Sequence, residues 1–507
     1  MSGSLAFEVN GRPVEVPDDG CSLLEALRDR LGVRSPKDGC SPQGQCGCCT
    51  VLVDGQARVA CVTPVRRIAG RQVTTIEGLT DGERWTRAFA AVGASQCGFC
   101  TPGIIVRLAA SAARAPLVRS AVDQALLAHL CHCTGWQTIR EAALGRDLDE
   151  GSRRDVAAGA RRAALEGRVP QAVGAAVAGG MGGFADDTAP LDALVALRRA
   201  DGEWVVGETL TEARAAAGKV QGRRSTASPT WPLEVPPGRW DRTLRTTWVE
   251  PAYLETDASW CRPGGEPASP LANGGAFGGK VAADVGAIAR RLADAHERPV
   301  RVLLTREDVV RLGPKRPPIA AGLRADGTGV VRVVRTPGVR AAIHSVAPNL
   351  VVEEVDVAGP PTSMAVRGAG WVEAAVLQAS LAGGPDVVRS PDGARAVAAI
   401  ADDGRVRVIV SCGPVLDRVI LRSYCIGAAH MALGWVRSEA IAVDEGGEPV
   451  DLTIRSFGIL RSADMPSIEV EIDEQGAEPV NGSDAVFAAV AAAAWRALGH
   501  PERWPAT

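Results

Sequence analysis

At 507 residues the chain is long enough for about three to four domains, and one core is not expected to hold it. Its 56 basic and 59 acidic residues leave a net charge of −3, which argues against a surface built for nucleic acid or an anionic membrane. With 46% apolar and 23% charged residues the chain can bury sizeable cores, which excludes disorder throughout, and with only 4% aromatics those cores are built of Ala, Val and Leu.

Residues 5–9 and 13–16 read as strands flanking Asn10-Gly11, a type I′ hairpin signal. Ser22 caps a helix over 23–31 that ends at Gly32, and strands are expected at 50–54, 59–63 and 72–76. From residue 81 the pattern turns helical: 85–92, a helix opened by Thr101-Pro102, then 121–130 and 138–143. Residues 1–80 and 81–150 are thus two small domains in tandem, and 151–183, rich in Ala, Gly and Arg without a period, reads as a linker. Residues 184–238 form a small α/β segment with a proline-rich connector. The remainder, 239–507, mixes short strands (300–304, 330–334, 405–410) with Ala-rich helices (283–295, 485–498). The fold class is α+β and multidomain.

The opening residues carry no export signal, and the bland stretch 172–185 is shorter than the roughly 20 apolar residues that span a bilayer. A cytoplasmic protein without a membrane partner is expected. In a reducing compartment its thirteen cysteines point to metal or redox chemistry rather than disulfides.

Their spacing divides them. Cys40, Cys46, Cys49 and, after eleven intervening residues, Cys61 form a set whose glycine-rich loop has a first gap one residue longer than the plant-type [2Fe–2S] pattern. Glycine lets such a loop wrap closely and aim N–H groups at sulfur. Cys49 rather than Cys48 is read as the ligand, on the x2 spacing. Cys97 and Cys100, followed thirty residues later by Cys131 and Cys133, form a second set of four at helix ends, suited to a second [2Fe–2S] cluster or to structural zinc. His132 reads as a hydrogen-bonding or surface residue, and Cys21, Cys261, Cys412 and Cys425 as small buried hydrophobes.

The segments DGCSPQGQCGCCTVLVDG, SQCGFCTPGI and LCHCTGW closely resemble the iron–sulfur part of the xanthine dehydrogenase, or molybdenum hydroxylase, family. The resemblance implies a β-grasp ferredoxin-like domain followed by a helical-bundle [2Fe–2S] domain. Cys40, Cys46, Cys49 and Cys61 would hold the outer cluster, and Cys97, Cys100, Cys131 and Cys133 the inner one. It also implies that Gln96 and Cys133 lie against a pterin.

Further on, NGGAFGGK resembles a molybdenum-subunit loop containing Gly278 and Gly279, and PPTSMAVRGAGW the segment bearing a cofactor-side arginine, here Arg367. As a P-loop the former fails, because Val281 stands where Ser or Thr must bind Mg²⁺. The later family positions are eroded. Val249 and Val281 replace a glutamine and a glutamate, Arg422-Ser423 stand in the cofactor loop over 421–433, and the general-base glutamate falls in Asn481-Gly482-Ser483-Asp484. Serine cannot serve as that base, which leaves Asp484, Glu255 and Arg367 as the weak catalytic candidates.

The resemblance therefore implies two [2Fe–2S] clusters here, fused to a shortened molybdopterin-subunit-like domain, with molybdopterin in a partner catalytic subunit. Electrons would leave to an FAD subunit or a soluble acceptor. Two other readings stay open: a self-contained miniature hydroxylase acting on an aldehyde or N-heterocycle, and a non-redox assembly protein with structural zinc.

Overall fold

The computed structural model describes residues 3–145, 154–219, 226–269, 278, 280, 284–381 and 387–506. Strands β1 (Ser4–Val9) and β2 (Arg12–Pro17) form the hairpin, with Asn10 and Gly11 both at positive φ as a type I′ turn demands. Helix α1 (Leu23–Glu25), capped by the Ser22 hydroxyl, runs into a π-helical turn at Ala26–Arg30. Strands β3 (Thr50–Val53), β4 (Gln56–Val59) and β5 (Gln72–Thr74) complete a sheet of order β2-β1-β5-β3-β4. The strand expected at 59–63 is instead a 3-10 turn, Ala60–Val62, which swings Cys61 out of the sheet and inward.

Helices α2 (Gly82–Ala91), α3 (Thr101–Ala112), α4 (Arg119–Leu126) and α5 (Gln137–Leu144) follow. Pro102, in the first turn of α3, removes an N–H that would have no helical partner.

The expected linker at 151–183 is corrected where it is described: it contains α6 (Val156–Gly167) and α7 (Ala175–Ala178). The side chains of Arg162 and Glu166 on α6 are fully buried and paired at 2.9 Å, so polar residues on the inner face erased the apolar period. Helix α8 (Ala185–Thr188), strands β6 (Leu194–Arg198) and β7 (Trp204–Gly207) and helix α9 (Leu210–Ala217) come next, then β8 (Arg242–Arg245) and β9 (Ala258–Cys261). Helix α10 (Val285–His296) leads to β10 (Val300–Leu303). The separate α/β segment at 184–238 is corrected too, because its strands join later ones in a sheet of order β7-β6-β10-β9.

After α11 (Arg306–Leu312) come β11 (Ile319–Leu323), β12 (Gly329–Val334), α12 (Val339–Val346) and β13 (Leu350–Val355), giving the sheet β13-β12-β11-β8. Helix α13 (Trp371–Ala379) precedes β14 (Val388–Arg389), β15 (Arg395–Ile400) and β16 (Val406–Ser411). Helix α14 (Arg418–Arg437), strand β17 (Ile468–Asp473) and helix α15 (Ser483–Ala497) follow, and the last sheet runs β14-β15-β16-β17. By length and hydropathy α14 could cross a membrane, but 89% of its apolar window is buried inside the protein, as in a core helix.

One apolar core runs from Phe7 to Trp504, against the expectation that a single core would not hold the chain. Charge also joins the N-terminal domain to the rest: Arg28 pairs with Asp186 at 2.6 Å, Lys37 with Asp187 at 2.5 Å, and Arg301 with Asp29 at 2.8 Å, all on buried or half-buried side chains.

Candidate iron–sulfur centres and the small cavity beside them

The loop between α1 and β3 brings Cys40 and Cys46 together, and the 3-10 turn after β4 adds Cys61. The Cys61 N–H points at the Cys49 sulfur at 3.4 Å, and the Gln43 N–H at the Cys40 sulfur at 3.1 Å. Cys49 thereby joins Cys40, Cys46 and Cys61. Cys48 stands beside both groups: its sulfur neighbours the Cys46 thiol and carbonyl and lies within charge range of Cys40 and Cys49 as well as Cys97 and Cys100. It occupies the space between the two groups of four, fully buried.

The second group forms where the loop before α3 meets the loop between α4 and α5. The sulfurs of Cys97 and Cys133 are 3.6 Å apart. Two thiolates on one tetrahedral metal at about 2.3 Å lie about 3.8 Å apart, so this pair is spaced to share one metal atom. Cys100 contacts Cys131, and Cys131 contacts Cys133. Neighbouring thiols donate to Cys40 in one group and to Cys131 in the other, and these two sulfurs are held well below the usual thiol range. The donors Cys46, Cys61, Cys100 and Cys133 are pushed the other way, by those same hydrogen bonds and by burial, so each group holds one thiolate-prone sulfur among protonated neighbours.

The outer loop is clamped from the C-terminal side. Arg306 donates to the Gly39 carbonyl at 2.8 Å, Gln43 donates to Glu307 at 3.0 Å, and Arg455 donates to the Gln45 carbonyl at 3.0 Å. Gly47, at φ 75°, lies flat against His129: a Cβ there would sit 2.5 Å from the ring. His129 is buried; desolvation, then the charges of Arg107 and Arg455, push its pKa down from 6.5 to about 3. As pH falls the unfolded chain takes up this proton first, so the stabilisation is complete above about 6.5 and is lost between there and about 3. We expect the fold to lose about 1.4 kcal/mol from this residue by about pH 5.5. Denaturant unfolding of the protein and of His129→Leu across that range measures it, since the variant lacks this part of the acid sensitivity.

His132, between Cys131 and Cys133, is also buried. Its ring nitrogens lie 3.0 Å from the Pro251 carbonyl and 3.1 Å from the Glu439 carboxylate. Burial lowers its pKa, but Glu439 and the hydrogen bonds outweigh that and raise it overall. Nothing in the spacing of the sequence pointed to Glu439, which lies 307 residues away.

The positions expected to face a pterin are engaged by protein. Gln96 donates to the Cys133 carbonyl at 2.9 Å and to the Ser423 hydroxyl and carbonyl at 3.0 and 3.1 Å. Arg422 pairs with Glu141 at 2.6 Å. Gly278 bridges to Val366, where a Cβ would clash with the Ala365 carbonyl, so it serves the backbone packing of the Arg367 segment. Gly279 and Val281 lie outside the described residues.

Arg367 donates to Asp484 at 2.8 Å and also to the Ser483 hydroxyl. The second oxygen of Asp484 accepts from Arg168 at 2.5 Å. The N–H groups of Gly482 and Ser483, at the start of α15, are satisfied by the buried Glu166 carboxylate at 3.2 and 2.8 Å. Glu255 lines a different cavity, beside Cys61 and Phe184, and is paired with Lys280. Burial, opposed by Lys280, raises its pKa to about 7. The three catalytic candidates therefore do not converge on one site.

Among the described residues, the cavity that Arg367 lines with His132, Val249, Glu250 and Phe487 holds about 40 Å³. Small-molecule sites are about 300–1,000 Å³. Trp435 also lines it, stacked on Phe487 at 5.5 Å with the Arg316 guanidinium 4.1 Å over its ring. Molybdopterin does not fit among these residues. Asp484 is an ion-pair partner here: Asp484→Ala, which strands buried Arg367, is expected to destabilise the fold by about 3 kcal/mol. The iron content should be unchanged, and denaturant unfolding with iron analysis checks both.

Residues 7–66 match the profile of the 2Fe-2S iron-sulfur cluster binding domain, and residues 75–144 that of the [2Fe-2S] binding domain. The chain is 40% identical over 145 residues to the xanthine dehydrogenase iron-sulfur-binding subunit of Escherichia coli O157:H7, covering 27% of this chain and 89% of that one. It is 40% identical over 141 residues to the nicotine 6-hydroxylase small subunit of Paenarthrobacter nicotinovorans, covering 27% and 85%. Against the xanthine dehydrogenase of Drosophila pseudoobscura pseudoobscura it is 39% identical over 160 residues, which is 28% of this chain and 12% of that enzyme. Over 99% of both chains the fold is similar to aldehyde oxidoreductase from Desulfovibrio gigas, with a TM-score of 0.70 at 14% identity.

The chain belongs to the xanthine dehydrogenase/aldehyde oxidoreductase family, as an iron–sulfur member with two [2Fe–2S]-binding domains.

Proposed function

We propose that this chain is a cytoplasmic iron–sulfur electron-transfer subunit of a molybdenum hydroxylase-type complex. In this reading the molybdopterin centre resides in a partner subunit, and a flavin subunit or soluble carrier receives the electrons. The observation that carries it is the contrast between the two halves: the chain brings together two groups of four thiols, while Gln96 and Arg367 are each bonded to protein and the cavity that Arg367 lines holds about 40 Å³. Two relatives, one an iron-sulfur-binding subunit and the other a small subunit, match this chain over most of their own length, which supports a multi-subunit setting.

Cys40, Cys46, Cys49 and Cys61 would hold the outer cluster, and Cys97, Cys100, Cys131 and Cys133 the inner one. Bound [2Fe–2S] clusters would supply a one-electron carrier at each position. The chain's own residues clamp the loops and exclude water: all eight cysteines are buried, and Phe99 packs between the loops. All thirteen cysteines are free, which suits a reducing compartment.

Anaerobic reductive titration of the isolated chain tests the reading. It should take up about two electrons per polypeptide, one at each of two spectroscopically distinct clusters. Uptake of one electron or none would overturn it.

A further inference from the structure

The outer thiols are buried, but Val62 next to Cys61 is exposed, and the charge along this part of the chain is unbalanced. From residue 39 to residue 76 the chain contains one carboxylate, Asp54, and that is paired with Arg71 at 2.6 Å. Arg58, Arg66 and Arg67 in the same stretch are exposed and meet no carboxylate among the described residues. Arg58 lies on the outward row of edge strand β4, whose burial alternates. Arg66 and Arg67 occupy the outer face of a 3-10 turn whose other two residues, Val65 and Ile68, are buried. Asp19, in the turn that bonds to Val65, is neutralised by Arg30 at 2.7 Å.

Amid these cations stands Val62, 45% exposed and adjacent in sequence to Cys61. It rests on Gly44 of the outer loop, so the apolar spot and the cluster loop form one surface. Three exposed arginines that meet no carboxylate among the described residues thus lie within five residues of an exposed apolar side chain in sequence, in a protein whose net charge is −3.

We propose that the exposed segment bearing Val62 with Arg58, Arg66 and Arg67 is the docking surface for an acidic electron-carrier protein. The inference rests on the electron-transfer reading above and names the chemistry of the acceptor. Small, weak interfaces suffice for redox encounters, and opposite charge raises their on-rates by about 10- to 1,000-fold, most at low salt. In the encounter one electron leaves the reduced outer cluster and reduces the carrier by one; no bond or proton need change.

The test uses the full chain reduced anaerobically with dithionite and a small acidic plant-type ferredoxin as the probe. Stopped-flow mixing at low salt should give fast transfer that slows steeply with ionic strength. The double variant R66E/R67E should be slower by about tenfold or more and nearly salt-independent, and R66K/R67K should recover most of the rate. Calorimetric binding to the same probe should weaken in parallel, with iron content and cluster spectra unchanged. Equal rates for the protein and R66E/R67E, equal reactivity with a basic cytochrome c, or equally tight binding of a DNA oligomer would each overturn the docking surface. Reduction of both clusters by dithionite in the same samples reports on the electron-transfer reading separately.

Discussion

Cys131→Ser should lower the iron content from about four atoms per chain to about two, leaving the outer cluster's spectrum in place. The expectation follows from the separation of the two groups. Cys131 touches only Cys100 and Cys133 among the thiols that contact it directly, and both belong to its own set. Serine is a poor ligand for iron beside soft thiolates. The outer loop offers a sharper contrast, because two cysteines stand side by side. Cys49→Ser should cost the outer pair of irons, since Cys49 is the sulfur at the Cys61 N–H, whereas Cys48→Ser should keep all four. Iron analysis with low-temperature EPR of the three variants decides the matter, and retention of four irons in Cys49→Ser would reassign the ligand.

Gly427→Ala is expected to destabilise the chain by about 3 kcal/mol and to speed the loss of iron from the inner site. Helix propensity alone predicts the opposite, since alanine is better than glycine in a helix interior by about 1 kcal/mol. Packing decides against it. A Cβ at position 427 would lie 1.8 Å from the Cys133 carbonyl oxygen, a backbone atom that Gln96 also holds. Helix α14 would have to retreat from the inner loop, breaking the hydrogen bonds from Gln96 to Ser423. Denaturant unfolding and the rate of iron release to a chelator measure the two effects.

How much of this was legible in the sequence depended on whether the signal was local. The hairpin at Asn10-Gly11, the Ser22 cap and the start of α3 at Thr101-Pro102 each reside in a few adjacent residues, and the structure has them. Cysteine spacing separated two groups of four that the structure also brings together. Helix α6 was not legible, because its inner face carries the buried pair Arg162 and Glu166 and so lacks an apolar period. Helix α14 hid for the reverse reason, being buried on nearly every side and therefore apolar all round. The bonds made at the positions expected to face a pterin were readable only in part. The resemblance placed Ser483 where the family has its base, but the pairings made there join residues over a hundred positions apart, as Arg367 with Asp484 and Gln96 with Ser423. Glu255 looked like a neighbour of the same site and is not, because β9 and β10 carry it to the cavity beside Cys61.

The central claim is that this chain carries electrons but does not hold the molybdenum. Metal analysis of the full chain, expressed alone and purified anaerobically, tests it most directly. About four irons per polypeptide with no stoichiometric zinc or molybdenum is the expected result. Molybdenum at one per chain alongside the iron would contradict the account and make the hydroxylase self-contained.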